Sequence, residues 1–246
     1  LCSNVLLNKE RRAVAATKTT ASAVLTPGYW DDACKHLVKK DRVMKRLIPQ
    51  HGDACLQTRG DAFTTLARSI VGQQISVKAA QTVWDRFMAL SQKSRPASGS
   101  SAARKAAGAS LVPAQVLKLK VDDMRASGLS ARKVEYLVDL SIHFDSGQIR
   151  TSAWEDMDDE AIINELTGIR GIGRWTADMF LIFHLMRPNV LPLDDVGLIN
   201  GISKNYFSGE SVSRSDAREV AAAWAPYCSV ATWYIWRSLD PVPVEY

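Results

Sequence analysis

The sequence predicts an all-α protein, and three observations carry that prediction. Apolar residues recur at i, i+3 and i+4 through most of the chain. Capping residues stand where those runs begin. Alternating polar and apolar stretches flanked by hairpin turns, the mark of strands, are scarce. At 246 residues with 46% hydrophobic content, the chain is long enough for one large domain or two small lobes with a real core.

Residues 1–26 are polar and basic, with Lys9, Arg11, Arg12 and Lys18 against one acid, Glu10. They read as a disordered tail or a cloning remnant, with an Arg-rich, acid-poor transit peptide as the alternative. Order is expected from "TPGYWDDACKHLVKKD" onward. "DAFTTLARSIVGQQISVKAAQTVWDRFMAL" holds two helices broken at "GQQIS". Phe63, Leu66, Ala67, Ile70 and Val71 form the inward face of the first. Val77, Ala80, Val83, Trp84 and Phe87 form that of the second. "SRPASGSSAARKAAGAS" (94–110) is Ser, Gly, Ala and Pro without an acid, and reads as a flexible loop near 92–110.

In "SARKVEYLVDLSIHF", Ser130 is the expected N-cap, with Val134, Leu137 and Val138 inward. "DDEAIINEL" is a short helix burying Ala161, Ile162 and Leu166, and "GRWTADMFLIFHLM" is a second, ended by Pro188. "SRSDAREVAAAWAPYCSVATWYIW" opens on a capping serine and places a proline at the start of the next helix.

Several classes of function are excluded or disfavoured. Cys2, Cys34, Cys55 and Cys228 are scattered without a CxxC pair, so local spacing encodes neither zinc site nor iron–sulfur cluster. They read as reduced thiols of a cytosolic protein. The four histidines lack metal-ligand spacing. The apolar run "MFLIFHLM" is too short to span a bilayer, and no secretory signal opens the chain. A net charge of +5 and a pI near 9.0 tilt toward a polyanionic partner.

One stretch carries the functional reading. "ELTGIRGIGRWTADMF" (165–180) places Gly168, Gly171 and Gly173 between two helical patterns. Glycines let the backbone turn sharply and approach another surface. The helix N-terminus that follows offers unpaired N–H groups and the positive end of a dipole, a ready anion site. A helix C-cap with an ordinary tight turn fits the spacing equally well. Shortly after comes "VLPLDDVGL", with Asp194 and Asp195 adjacent.

The combined pattern L-x-G-I-x-G-I-G-R-W-T-A followed by P-L-D-D resembles the helix-hairpin-helix DNA glycosylase superfamily, and within it the 3-methyladenine DNA glycosylase II branch. "SIVGQQISVKAA", "GLSARKVEYLVDLS" and "WAPYCSVATWYIW" extend the resemblance from about residue 30 to 240. It implies two helical lobes flanking a cleft over residues 27–246, without the mixed α/β domain of some members. It implies that Asp195 is the catalytic carboxylate, stabilising an oxocarbenium-like transition state; helix capping is the plain alternative for the pair, and it suits Asp194.

Trp175 stands where lyase members carry a lysine nucleophile, which implies a monofunctional enzyme that leaves an abasic site. Trp175, Trp236 and Met179 are the implied base pocket; Trp236 has a core role as its alternative, and Trp224 and Trp233 read as core. Met179 replaces a tyrosine of some relatives, which leaves the lesion spectrum open. Gln74 is the candidate to fill the gap left by a flipped base. Gln73 is the runner-up, and a plain polar turn is the alternative. Gly168, Gly171, Gly173, Arg174 and Thr176 are expected at the DNA phosphates, although exposed arginines like Arg174 are common.

The carbonyls of Thr167, Ile169 and Ile172 are candidates to hold a sodium or potassium ion, and no cofactor is required. The implied partner is duplex DNA bearing alkylated purines such as 3-methyladenine and 7-methylguanine. The protein is expected to be a monomer away from membranes, at the nucleoid in a bacterium or the nucleus in a eukaryote. Two other readings stay open: a non-catalytic damage-binding module, and a glycosylase for a neutral lesion such as uracil.

Overall fold

A computed structural model describes residues 27–52, 54–57, 60–93 and 110–239. The basic tail and nearly all of the 94–110 loop lie outside the described residues, which are helical and contain no strand.

The chain opens with α1 (Trp30–Lys40) and α2 (Arg42–Leu47). Asp41 separates them, its carboxylate accepting the Val43 and Met44 N–H groups at 2.7 and 2.9 Å. Next come α3 (Ala62–Gly72), capped by Asp61, and α4 (Val77–Lys93). Two short helices follow, α5 (Pro113–Val116) and α6 (Val121–Ala126), then α7 (Ala131–Asp145), capped by Ser130 as expected. The hairpin helices are α8 (Asp159–Thr167) and α9 (Arg174–Phe183). The last three are α10 (Val196–Tyr206), α11 (Arg214–Ala221) and α12 (Cys228–Leu239).

These helices sort into two lobes. One packs α3 against α4 and α7, with α9 resting on α3 and α8 beside it. The other joins both ends of the described chain, α1 and α2 packing on α12, and α12 on α10. Buried Asp41 fastens this second lobe. It also accepts the Tyr206 hydroxyl at 2.9 Å and the Trp224 indole N–H at 3.2 Å. Burial, then the Asp41 charge, raises the Tyr206 hydroxyl's pKa and keeps it a donor. Tyr29 reaches across to the Met186 carbonyl at 2.6 Å, and Trp30 meets Trp233 edge-on with ring centres 5.2 Å apart. Trp224 and Trp233 are core, as the sequence predicts.

The predicted inward face of α3 is fully buried. Val77 is not: it is 74% exposed, because it is the first residue of α4 and no neighbouring helix covers it. In α8, Ile163 is buried with Ile162 and Leu166, and Ala161 is only half covered. Helix α9 stops at Phe183, five residues before Pro188. Met186 takes a left-handed conformation (φ 55°), and the Arg187 N–H turns back to the Leu181 carbonyl at 2.9 Å. Pro226 precedes α12 by two residues instead of beginning it. Among the described residues no helix is long and apolar enough to cross a membrane.

Candidate active site

The turn between α8 and α9 is held from beneath by α7. The Arg170 N–H donates to Asp139 Oδ2 at 2.8 Å, and its guanidinium pairs with Glu135 at 2.9 Å. Tyr136 lies directly under Gly171. A Cβ at Gly171 would fall 2.3 Å from the tyrosine ring, and φ is +86° there, so both contact and conformation require glycine. Gly168 differs: it closes α8 at φ −65°, an ordinary right-handed position. Gly173 is the N-cap of α9, without a side-chain cap and with open space where a Cβ would stand. The first turn of α9 thus begins without a side-chain cap, the condition in which a helix N-terminus can receive an anion.

The neighbouring side chains are engaged or covered within the protein. Arg174 is held by Glu160 through both guanidinium branches, one at 3.0 Å, in an exposed pair. That contact lowers the pKa of Glu160 and raises that of Arg174. Thr176 is buried and lines the adjoining cavity, not the outer surface. Asp178, one turn on, is 4% exposed. Burial pushes its carboxyl up to about 6, with Arg174 opposing and Asp194, Glu160 and Asp159 reinforcing the shift.

Asp195 stands at the mouth of α10, and it is the cap. Its Oδ1 accepts the Leu198 N–H at 2.6 Å and the Trp236 indole N–H at 2.7 Å. Its Oδ2 accepts the Trp175 indole N–H at 2.8 Å. The capping role given to Asp194 therefore belongs to Asp195, the residue immediately before the first helical turn, whose side chain alone reaches the N3 donor. Asp194 instead pairs with Arg214 at 2.7 Å, tying the loop to α11. Gly197 leaves room for this arrangement. A Cβ there would stand 3.0 Å from Asp195 Oδ1 and 3.3 Å from Trp236 Nε1.

A cavity of about 510 Å³ opens between α3 and α9. Trp175, Met179 and Phe183 wall one side at four-residue spacing, one face of a helix. Thr65 and Ser69 of α3 stand on the opposite side, and Gln73, Gln74 and Ile75 form the rim. Trp236 lies behind this wall, stacked on Phe183 with ring centres 5.7 Å apart and planes at 11°. Gln74 is exposed at φ 58°, beside Ile75 and Val77, which are 40% and 74% exposed. Gln73 turns the other way and donates to the Gly171 carbonyl at 2.8 Å.

Phe183 and Gly197 also shape this site and are not among the residues expected there from the sequence. Phe183 was legible, since it continues the Trp175–Met179 spacing. Gly197 carried no signal, because its partner Trp236 is distant in sequence. Among the described residues no group of three or more His, Cys, Asp or Glu side chains is placed to hold a metal ion. Cys34 and Cys228 are thiols, not disulfides.

Two helices joined through a glycine turn, the second without a side-chain cap, define the helix-hairpin-helix class of nucleic-acid-binding proteins. The chain belongs to the HhH-GPD superfamily of base excision DNA repair proteins, whose family model matches residues 67–226. It is 30% identical to DNA-3-methyladenine glycosylase 1 of Schizosaccharomyces pombe, over 94% of this chain and 92% of that protein. Among solved structures it is similar to a DNA-3-methyladenine glycosidase from Bacillus halodurans, with a TM-score of 0.74 and 32% identity, covering 89% of this chain and 93% of that one. A 3-methyladenine DNA glycosylase of S. pombe in complex with abasic DNA matches with a TM-score of 0.70 and 29% identity, over 87% of this chain and all of that one.

Proposed function

We propose that the protein is a monofunctional DNA glycosylase that draws alkylated purines out of duplex DNA and hydrolyses their N-glycosidic bond. The observation that carries this reading is the hydrogen bond to Asp195 from Trp175, an aromatic wall of the cavity. As the bond breaks, its electron pair leaves with the base and positive charge develops on the sugar. A fixed carboxylate stabilises that charge, and water adds to the anomeric carbon. Purines alkylated on the ring, such as 7-methylguanine and 3-methyladenine, are cations that leave without prior protonation. The Trp175 and Phe183 faces favour such a ring by stacking and cation–π attraction, roughly 0.5–2 kcal/mol. The relatives named as 3-methyladenine glycosylases support this substrate class.

The remaining assignments follow the same reading. Trp175 occupies the position of the lyase lysine, so the product is an intact strand with an abasic site. Gln74, exposed at the cavity rim, fills the vacated place in the duplex. The α9 N-terminus and the Gly173 backbone receive phosphate. The carbonyls of Thr167, Ile169 and Ile172 form a neutral oxygen set suited to sodium or potassium, Ile169 retaining a lone pair beside its bond to the Ile172 N–H.

The test uses duplexes carrying a single 7-methylguanine or a single uracil, with released base and strand breaks measured separately. Release of 7-methylguanine without nicking, until alkali or heat is applied, is the expected result. Binding to abasic-site duplexes with no release from either substrate would make the protein a damage-binding module. Nicking without alkali would assign it a lyase.

A further inference from the structure

We propose that Trp175 and Trp236 form a clamp of paired indole N–H donors that aims the Asp195 carboxylate, a positioning role separable from stacking on the base. The proposal rests on the reading of Asp195 as the group that stabilises the sugar cation.

An ionised carboxylate offers about four lone-pair sites, two on each oxygen. Oδ1 of Asp195 has both engaged, by the Leu198 N–H at 2.6 Å and the Trp236 indole at 2.7 Å. Oδ2 has one engaged, by the Trp175 indole at 2.8 Å. One site on Oδ2 is left, and Trp175, the donor to that oxygen, is itself a wall of the cavity. The two oxygens therefore divide the labour. Oδ1 fastens the residue to α10 and α12, and Oδ2 is the oxygen presented toward the sugar.

The clamp is rigid because its donors are. Trp236 cannot swing without losing its stacking on Phe183, and Gly197 admits the indole against the carboxylate. Hydrogen bonds to a charged acceptor are stronger than neutral ones and fix direction. An electrostatic stabiliser works best when it needs no reorientation as charge develops. A carboxylate held at three points meets that requirement. An unclamped one would rotate about its terminal torsion, which has no sharp preference of its own.

The experiment replaces Trp175, and separately Trp236, with 3-benzothienylalanine, in which sulfur takes the place of the indole N–H and the ring shape is kept. Single-turnover excision of 7-methylguanine at saturating enzyme, affinity for a duplex with a tetrahydrofuran abasic analogue, and Tm are measured for each. Excision is expected to fall roughly tenfold, equivalent to about 1.4 kcal/mol of barrier, with affinity unchanged and Tm lowered by a few degrees at most. Wild-type excision by both variants would overturn the clamp and leave the indoles as stacking surfaces. Asp195→Asn is run alongside. If it excises at the wild-type rate, the reading of Asp195 itself fails; if it is inactive while both sulfur variants are fully active, only the clamp fails. Should a sulfur variant lose Tm beyond those few degrees, Trp175→Phe decides: it keeps an aromatic wall without the donor, and wild-type excision by it overturns the proposal.

Discussion

The side-chain amide of Gln73 donates to the carbonyl oxygen of Gly171 at 2.8 Å, joining two turns that lie 98 positions apart in sequence. The break between α3 and α4 and the hairpin between α8 and α9 are thereby one surface. The adjacent Gln74 makes the opposite use of the same turn, exposed at the cavity rim. Gln73→Ala is expected to weaken binding to damaged and undamaged duplexes alike, by releasing the hairpin from its neighbour. Gln74→Ala is expected to leave undamaged binding unchanged and to lower excision at a damaged base. Fluorescence-anisotropy titrations with the two duplexes separate these outcomes, and identical profiles for both variants would remove the division of roles.

Gly171 and Gly173 differ in the same way. Gly171→Val forces a side chain into the Tyr136 ring and into a left-handed conformation, which costs about 1–3 kcal/mol for the backbone alone. It should lower Tm by several degrees. Gly173→Val enters open space at φ −95°, so Tm should hold while affinity for every duplex falls. A stable, fully binding Gly173→Val protein would show that the first N–H groups of α9 do not touch DNA.

Asp195→Asn should lower excision by about two orders of magnitude or more, the scale of losing one preorganised electrostatic group. It also carries a structural cost. An asparagine that keeps its oxygen on the Leu198 and Trp236 N–H groups turns its NH₂ toward the Trp175 N–H, donor against donor. Loss of about 1–3 kcal/mol is expected from that mismatch, read by urea unfolding. Asp194→Asn removes only an exposed pair with Arg214, worth about 1 kcal/mol or less, and should leave excision intact.

Asp178 gives the protein a pH signature. Its folded-state pKa, about 6, lies above the ordinary 3.8 because the side chain is buried. Between those values the folded protein binds more protons than the unfolded chain, so this residue's effect is to lower stability as pH rises through the window. Asp178→Asn should raise stability above pH 6, by about 1–3 kcal/mol, and bring no gain below pH 4. Thermal melts across pH 4–8 measure the difference, and a gain that is the same at every pH would assign it to packing instead of charge.

The class of fold and the hairpin were legible because both are local: helical periodicity and glycine spacing are written within a few turns of chain. The α3 face from Phe63 to Val71 shows this, as does the Ser130 cap. Val77 was misread because periodicity states which residues share a face, not whether another helix covers that face. The assignment of Asp194 as cap failed on one residue of register, since a run of two aspartates does not show which carboxylate reaches the N3 donor. The Arg174–Glu160 and Gln73–Gly171 contacts depend on tertiary placement, and nothing near either residue announces them. Trp175 and Trp236 were picked out as aromatic surfaces, but their use of the N–H edge toward Asp195 is visible only once three helix ends meet.

The lobe that carries Asp195 is assembled from both ends of the described chain, with Trp30 against Trp233 and Asp41 bonded to Tyr206 and Trp224. On the ribosome, α3 through α9 emerge before α12 exists. The helices of the hairpin lobe are therefore all present on the nascent chain while Asp195 still lacks the Trp236 donor. Formation of the α8–α9 turn and completion of the hydrogen bonds to Asp195 are thus separated in time during synthesis. The Asp195 carboxylate acquires its Trp236 donor only when α12 closes onto α1, α2 and α10, helices that emerge before it.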